Sequence, residues 1–500
     1  MKYHFTYLLF SFLFPVFGMA QSAKQIAAFD QYVQKGVTDW EVPGLAIIVV
    51  KDNKVVFKKG YGVLEKGKAG MVDTQTMFGI ASTTKAMTAA CAGILVDEGK
   101  LHWEDKVTDY LPDFQLYDPY ATRELTVRDL FLHDSGVGNT DYLWGMMDIK
   151  SDEMLRKLRL VKPQYSFRSG FVYQNMFYLA AGKVIEKASG MPWETFIKTQ
   201  IFEPLHMTRT VASIKDTKGL DNLTSAHMKI DSVIKKVPLD ATDQIGPAGG
   251  VWSCVDDMGR WLQCMLDSTK YGDNKRLLKA DTWAYLLAPH TLVTEEEFYP
   301  TAQLTHPHWE TYGMGWFQQD YKGQMVNFHT GSLSGLIAIN GMLVDKKMGV
   351  YLLANLDHAE LRHALMFRAF DTFALGGETD WSADFLKLYK GIQEKQDKVE
   401  KETIAKRVMG TKPSLPLSDY ASKYTDPLYG EVNVKVDKDS LVVDINHILT
   451  ATVTHWHYDT FVGNYSNIAY GKGGVSFTLD PISGNVSTIN IDGFTLNKVN

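Results

Sequence analysis

Ser82 and Lys85, in the run Phe78-Gly79-Ile80-Ala81-Ser82-Thr83-Thr84-Lys85, stand three positions apart at the start of a segment that reads as a helix. That spacing is just under one helical turn, so the hydroxyl and the amine share a face and can touch. A serine hydroxyl is a poor nucleophile until a base takes its proton, and a lysine whose charge is disfavoured by burial can be that base. Gly79 and Ala81 are small enough to let a substrate approach, and a helix N-terminus favours the negative charge that develops there. The segment from Ala86 to Leu95 is apolar enough for a buried central helix. Taken alone, Ser-x-x-Lys also describes an ordinary first helical turn.

Two further segments carry compatible chemistry. Tyr173-Gln174-Asn175 precedes a helical pattern from Leu179 to Glu186. A tyrosine beside a cationic lysine can take phenolate character and act as general base or proton shuttle. Asn175 has an amide that could bond both Lys85 and a substrate oxygen. His329-Thr330-Gly331-Ser332 lies between the alternating run Gln324–Phe328 and the apolar run Leu333–Val344. It reads as an edge strand whose glycine lets substrate lie against the backbone. A peptide N–H there, with that of Ser82, would form an oxyanion hole.

In this order the three segments resemble the serine β-lactamase and penicillin-binding (DD-peptidase) superfamily, nearest its branch of class C β-lactamases, D-amino-acid-specific peptidases and β-lactamase-like esterases. Flanking text is similar too: Leu130-Phe131-Leu132-His133-Asp134-Ser135-Gly136, Pro247-Ala248-Gly249-Gly250, Tyr312-Gly313-Met314-Gly315-Trp316 and Asn355 all match the pattern. The resemblance spans roughly residues 25 to 375 and implies roles position by position. Ser82 would be acylated, Lys85 and Tyr173 would share the general-base work, and Asn175 would orient Lys85 and the substrate amide. His329, Thr330, Gly331 and Ser332 would line the substrate, with the N–H groups of Ser82 and Ser332 holding the oxyanion. His133 invites a Ser-His-Asp reading, but its family segment is a helix end that braces the site.

One departure narrows the function. Where lactamases and carboxypeptidases usually place a lysine, this chain has His329. A histidine is mostly neutral at pH 7 unless its pKa is raised, so a fixed charge for a substrate carboxylate is missing. Among the relatives it resembles, His-x-Gly goes with aminopeptidases acting on D-residues and with other amide or ester hydrolases. The bulkier Gln174 between Tyr173 and Asn175 is expected to reshape the pocket.

Composition agrees. The 500 residues leave room for more than one domain, and a net charge of −6 without a basic stripe speaks against nucleic acid as a partner. Residues 1–20, with Lys2, an apolar stretch and Gly18-Met19-Ala20, read as a secretory signal peptide, which implies a periplasmic or secreted protein without a stable membrane anchor. Cys91, Cys254 and Cys264 have no metal spacing and read as small buried hydrophobes, one disulfide being open. No cofactor is needed.

The elements that must position these groups follow from periodicity. An initial helix over 21–42 carries Ile26, Phe29, Tyr32 and Val33 on one face. Strands Gly44–Lys51 and Lys54–Leu64 turn at Asp52-Asn53, and strands return at Gly313–Asp320, Met325–His329, Leu336–Val344 and Gly349–Asn355. A helix near Ala359–Ala374 closes the domain. The expected fold is α+β, an antiparallel sheet flanked by helices, over residues 21–380. A charged helical linker over 381–412 leads to an all-β module over 413–500, which looks like the lipocalin-like barrel appended to some members of this hydrolase family. His455 and His457 share a strand face, but no third metal ligand presents itself.

The leading function is a serine hydrolase acting through an acyl-enzyme on amide or ester bonds, with a small peptide, amide or ester as substrate and D-amino-acid-containing peptides or esters in first place. A homo-oligomer is an open possibility. The alternatives are a β-lactamase or penicillin-binding protein, a binding or sensor protein that acylates without turnover, and a carbohydrate- or lipid-binding protein built around the barrel.

Overall fold

A computed structural model describes residues 17–273 and 275–499, with side chains from residue 23 onward. The expected signal peptide falls mainly on residues 1–16, outside the described residues. The first helix, α1 (Phe17–Asp39), leads into β1 (Gly44–Lys51) and β2 (Lys54–Gly62). Their turn uses left-handed Asp52 and Asn53, with φ of 49° and 60°, the geometry of a two-residue hairpin. Helices α2 (Thr84–Asp97), α3 (Asn175–Ser189) and α4 (Val255–Leu266) follow. The chain then returns through β3 (Thr291–Leu292), β4 (Glu310–Gly313), β5 (Trp316–Tyr321), β6 (Gln324–Leu333), β7 (Leu336–Leu343) and β8 (Met348–Ala354). The eight strands form one sheet in the order β2-β1-β8-β7-β6-β5-β4-β3, so the two ends of the domain meet where β1 pairs with β8.

Both faces of this sheet are covered, which explains why β1 is buried along almost its whole length. Leu45, Ile47 and Val49 pack with Phe29 and Val33 of α1, with Leu361 and Leu365 of α5 (Leu361–Phe370), and with Trp381 and Phe385 of α6 (Trp381–Ala405). Ala46, Ile48 and Val50 face the other layer, with Met87 and Leu95 of α2 and Met258 and Leu262 of α4. The α+β architecture is as expected, a helical layer on either side of an antiparallel sheet.

The edge-strand expectation for the third motif is corrected. β6 is interior, flanked by β5 and β7. Its two neighbours are offset, however: β5 pairs with Gln324–Phe328 and β7 with Asn327–Leu333. The segment from His329 to Leu333 thus runs past the end of β5, leaving one side unpaired inside an otherwise interior strand.

After α6, eight antiparallel strands from Lys423–Asp426 to Phe494–Lys498 close into a barrel, lipocalin-like as expected. Alternation fills it: along Leu449–Val453 the residues are buried and exposed in turn. The barrel is held from two sides. Arg407, just past α6, lies 4.3 Å over the Trp456 ring and donates to the Trp456 carbonyl at 2.7 Å. Asn446 Nδ2 donates to the Met146 carbonyl at 2.8 Å. His455 and His457 are separated by a β-bulge and are engaged with backbone, at Tyr458 O and Val408 N. All three cysteines are free and buried. Among the described residues no helix is long and apolar enough to cross a membrane.

Candidate active site

Ser82 sits in a short turn, Ala81–Thr83, that runs directly into α2. Ala81 is held at φ 50°, a left-handed conformation costing a non-glycine residue about 1–2 kcal/mol. The turn persists because its surroundings over-determine it: the Ile80 N–H donates to the Val251 carbonyl, and the Thr83 hydroxyl bonds to Tyr351 at 2.5 Å. Gly331 of β6 crosses against the same turn. A Cβ there would lie 2.3 Å from the Ile80 carbonyl oxygen, so the third motif reaches Ser82 only because residue 331 has no side chain. The glycine serves this crossing of two backbones.

Lys85, the second residue of α2, has no exposed surface. Its Nζ donates to Ser82 Oγ at 3.1 Å, to Asn175 Oδ1 at 2.6 Å and to the Ala248 carbonyl at 2.8 Å. It also lies 4.8 Å from the Tyr173 ring centre and 5.2 Å from that of Tyr178. Burial lowers the lysine pKa to about 7, against the opposing charge of Asp141. The amine is therefore poised to exist unprotonated at neutral pH, beside the hydroxyl it would deprotonate.

Tyr173 is arranged differently from expectation. Its hydroxyl is buried and has no hydrogen-bond partner. Burial drives its pKa well above 10, with the nearby Ser82 hydroxyl acting in the other direction. It is a neutral phenol, because the lysine beside it is itself mostly desolvated and its cation does not offset the cost of burying a phenolate. Asn175 uses both ends of its amide: Oδ1 receives Lys85, and Nδ2 donates to Asp141 Oδ1 at 2.8 Å. The same oxygen receives Trp144 Nε1 at 3.0 Å. Gln174 points away from the pocket. Its side chain caps α3 at Met176 N, receives the Thr140 hydroxyl and donates to the Gly138 carbonyl, so it braces the 138–140 loop.

His329 lies at the site but is tied on both nitrogens. Nδ1–H donates to the Thr330 carbonyl at 2.6 Å, which leaves Nε2 to accept from the Tyr312 hydroxyl at 2.9 Å. Burial, with the Lys85 charge, lowers its pKa to about 3, so it is neutral throughout the physiological range. The Thr330 hydroxyl bonds to Tyr299. Ser332 is exposed, and its hydroxyl accepts from Arg362 Nη1 at 2.9 Å. His133 accepts from the Gln174 N–H through Nδ1, packs with its ring centre 4.4 Å from that of Tyr173 at a tilt of 38° and makes no bond to Ser82, in keeping with the bracing reading.

Three residues play roles here that the sequence motifs did not assign. Asp141 holds Asn175, Ala248 supplies a carbonyl to Lys85, and Arg362 anchors the end of β6. Arg362 donates to the Gly331 carbonyl at 2.7 Å and forms a two-pronged ion pair with Glu360 at 2.9 and 3.0 Å. Burial would raise the Glu360 carboxyl, but the Arg362 charge and His363 hold it well below its usual range. An arginine inside the apolar run Leu361–Phe370 was a usable signal, since a charge on a buried helix needs a partner.

The serine, the buried amine, the phenol and the unpaired end of β6 form an arrangement able to carry out acyl transfer. The known families agree with it. A family model described as Beta-lactamase matches residues 29–371, and a second, described as Domain of unknown function (DUF3471), matches residues 406–499. The chain is 24% identical over 440 residues to Unguisins hydrolase ungD of Aspergillus violaceofuscus, covering 82% of this chain and 76% of that protein. Among solved structures, the octameric penicillin-binding protein homologue from Pyrococcus abyssi superposes with a TM-score of 0.63 at 21% identity, over 95% of this chain and 100% of that one. The structure of SurE with D-Leu superposes with a TM-score of 0.55 at 18% identity, over 96% and 100% of the two chains. The chain belongs to the beta-lactamase family, within the superfamily of serine hydrolases and penicillin-binding proteins that act on amide and ester bonds through an acyl-enzyme.

Proposed function

We propose that Ser82 is the acylated nucleophile and neutral Lys85 its base, in a hydrolase of amide or ester bonds of small peptides. The observation that carries this is the buried amine 3.1 Å from Ser82 Oγ with a pKa near 7. The Ser82 proton passes to Lys85 Nζ as Oγ bonds to the substrate carbonyl carbon. The oxyanion rests on the N–H groups of Ser82 and Ser332, each donor contributing about 3–4 kcal/mol in comparable sites. Tyr173, a neutral phenol, delivers a proton to the leaving nitrogen or oxygen and is reprotonated from Lys85. Water then attacks the acyl carbonyl as Lys85 takes its proton, and Lys85 returns that proton to Ser82 Oγ as the ester bond breaks and the acid leaves.

Two substrate readings compete. Neutral His329, bonded on both nitrogens, offers no fixed charge to a carboxylate and supports peptides containing D-residues, or esters, as substrates. A hydrolase relative and a relative solved with D-Leu point the same way. The family match and the penicillin-binding homologue favour β-lactamase or penicillin-binding activity more strongly. Intact-mass spectrometry and single-turnover kinetics on D- and L-aminoacyl amides, short esters and a chromogenic cephalosporin decide between them. Ser82→Ala is expected to abolish both adduct and turnover, with losses of 10³-fold or more in order of magnitude. Turnover that survives Ser82→Ala ends the proposal, and a stable adduct without turnover marks a sensor. The octameric relative supports a homo-oligomer, for which light scattering is the measurement.

A further inference from the structure

A cavity of 670 Å³ lies between the two domains rather than inside either. Tyr142, Trp144 and Leu160 wall it from the hydrolase side, and Tyr429, Tyr470 and Phe494 from the barrel. The aromatic rings are locked together: Tyr142 lies 5.0 Å from Tyr429 and 5.3 Å from Phe494, which are themselves 4.6 Å apart. The Tyr470 hydroxyl donates to the Gly145 carbonyl at 3.2 Å. The wall is therefore built in advance, as binding sites of about 300–1,000 Å³ generally are.

The barrel interior is occupied by packed side chains. Its own apolar residues fill it, and Tyr142, Met146 and Met147 of the hydrolase domain close the mouth, where 30 Å³ of space remains.

The seam is joined to the catalytic groups. Asp141 lines the cavity, and its Oδ1 receives Asn175 Nδ2 at 2.8 Å, while Asn175 Oδ1 receives Lys85 at 2.6 Å. The cavity lining thus includes a residue bonded directly to the amide that holds Lys85. Its polar side is set by Asp141 and its apolar side by the aromatic wall.

We infer that this cavity is a distal subsite for the peptide substrate, taking an aromatic or branched apolar side chain a few residues from the acylated carbonyl. The barrel is then a specificity element of the hydrolase. The inference rests on the reading of Ser82 given above.

The test uses the full chain and two substrates with one leaving group: p-nitrophenyl acetate and the p-nitrophenyl ester of an N-acetylated tripeptide carrying phenylalanine and leucine. Phe494→Ala opens the wall from the barrel. Gly145→Leu fills the cavity from the opposite side, where the nearest atom to a new Cβ is the Tyr470 hydroxyl at 3.7 Å. In both variants the ratio of kcat/KM for peptide over acetate is expected to fall at least tenfold, chiefly through KM. An unchanged ratio in both, or an equal loss on both substrates, overturns the inference. Should wild type turn over neither ester, the Ser82 reading fails by itself. Calorimetric binding of the tripeptide amide to Ser82→Ala, weakened tenfold or more by adding Gly145→Leu, then still supports the cavity, and binding that is absent or unchanged rejects it.

Discussion

Replacing Asp141 by asparagine removes one charge at the site and one long hydrogen bond, from Asn139 Nδ2 to Asp141 Oδ2 at 3.3 Å. The variant keeps an Oδ1 to accept from Asn175 Nδ2 and Trp144 Nε1, so the geometry around Lys85 is retained. What it removes is the carboxylate that opposes burial at Lys85. The two hydrogen bonds through Asn175, of 2.6 and 2.8 Å, place the charges about 7 Å apart once the width of the amide is added. At an effective dielectric constant of about 20 that separation corresponds to about 2 kcal/mol, or about 1.5 pKa units. Asp141 is partly exposed, and water screens it further, so a shift of about one unit is expected. The other titratable groups facing Lys85 stay neutral: burial keeps His329 and His133 unprotonated, and Tyr173 and Tyr178 protonated. The sign follows directly. Lys85 acts as base when unprotonated, and loss of the anion lowers its pKa, so the variant works at lower pH. The acid limb of kcat/KM for a short ester, measured from pH 5 to 9, is expected to move from about 7 to about 6. A limb that stays in place or moves upward refutes Lys85 as the base whose titration Asp141 controls.

Three further outcomes are expected. Both oxygens of buried Glu310 lack partners, and burial raises its pKa from 4.5 to about 8. Between those values the folded state holds a proton that the unfolded state has lost, so stability falls as pH rises. Urea unfolding at pH 5 and pH 8 should show that fall, on the order of 4 kcal/mol at most, flattened by Glu310→Gln; parallel behaviour of the two proteins rejects the assignment. Gly331→Ala forces a Cβ toward the Ile80 carbonyl at 2.3 Å. It should cost about 1–3 kcal/mol of stability by denaturant titration and, because Ser82 moves, about 100-fold in kcat; wild-type kcat means that the turn does not depend on this crossing. Arg362→Met leaves buried Glu360 with His363 alone as its partner, a loss of about 3–5 kcal/mol by thermal unfolding. Adding Glu360→Gln should restore much of the stability but not kcat, since the anchor on Gly331 and Ser332 is still missing; recovery of both would make Arg362 a purely structural residue.

Much of the fold and part of the site were legible because they depend on local spacing. Ser82 and Lys85 meet because three residues nearly complete a helical turn, and that is a property of the backbone. The β1–β2 hairpin follows from apolar runs around Asp52-Asn53, and the barrel from alternation along its strands. Tyr173, Asn175 and the His329–Ser332 segment were found through order and family resemblance. Asp141 and Arg362 were not, and Ala248 stood in the matching Pro247–Gly250 stretch without an assigned role, since each reaches the site across the fold from a segment whose own pattern looks like a loop, a packed helix or a turn.

Residue types and their periods settle which atoms can react and which elements carry them. Only the assembled fold decided that β6 is interior with one free end, that the barrel walls a cavity at the domain seam, and that Lys85 titrates near 7 while His329 and Tyr173 stay neutral. Secondary structure is set by neighbours along the chain. Burial, charge state and shared cavities are set by neighbours through space, hundreds of residues away in sequence, and these emerge only when the layers close around them.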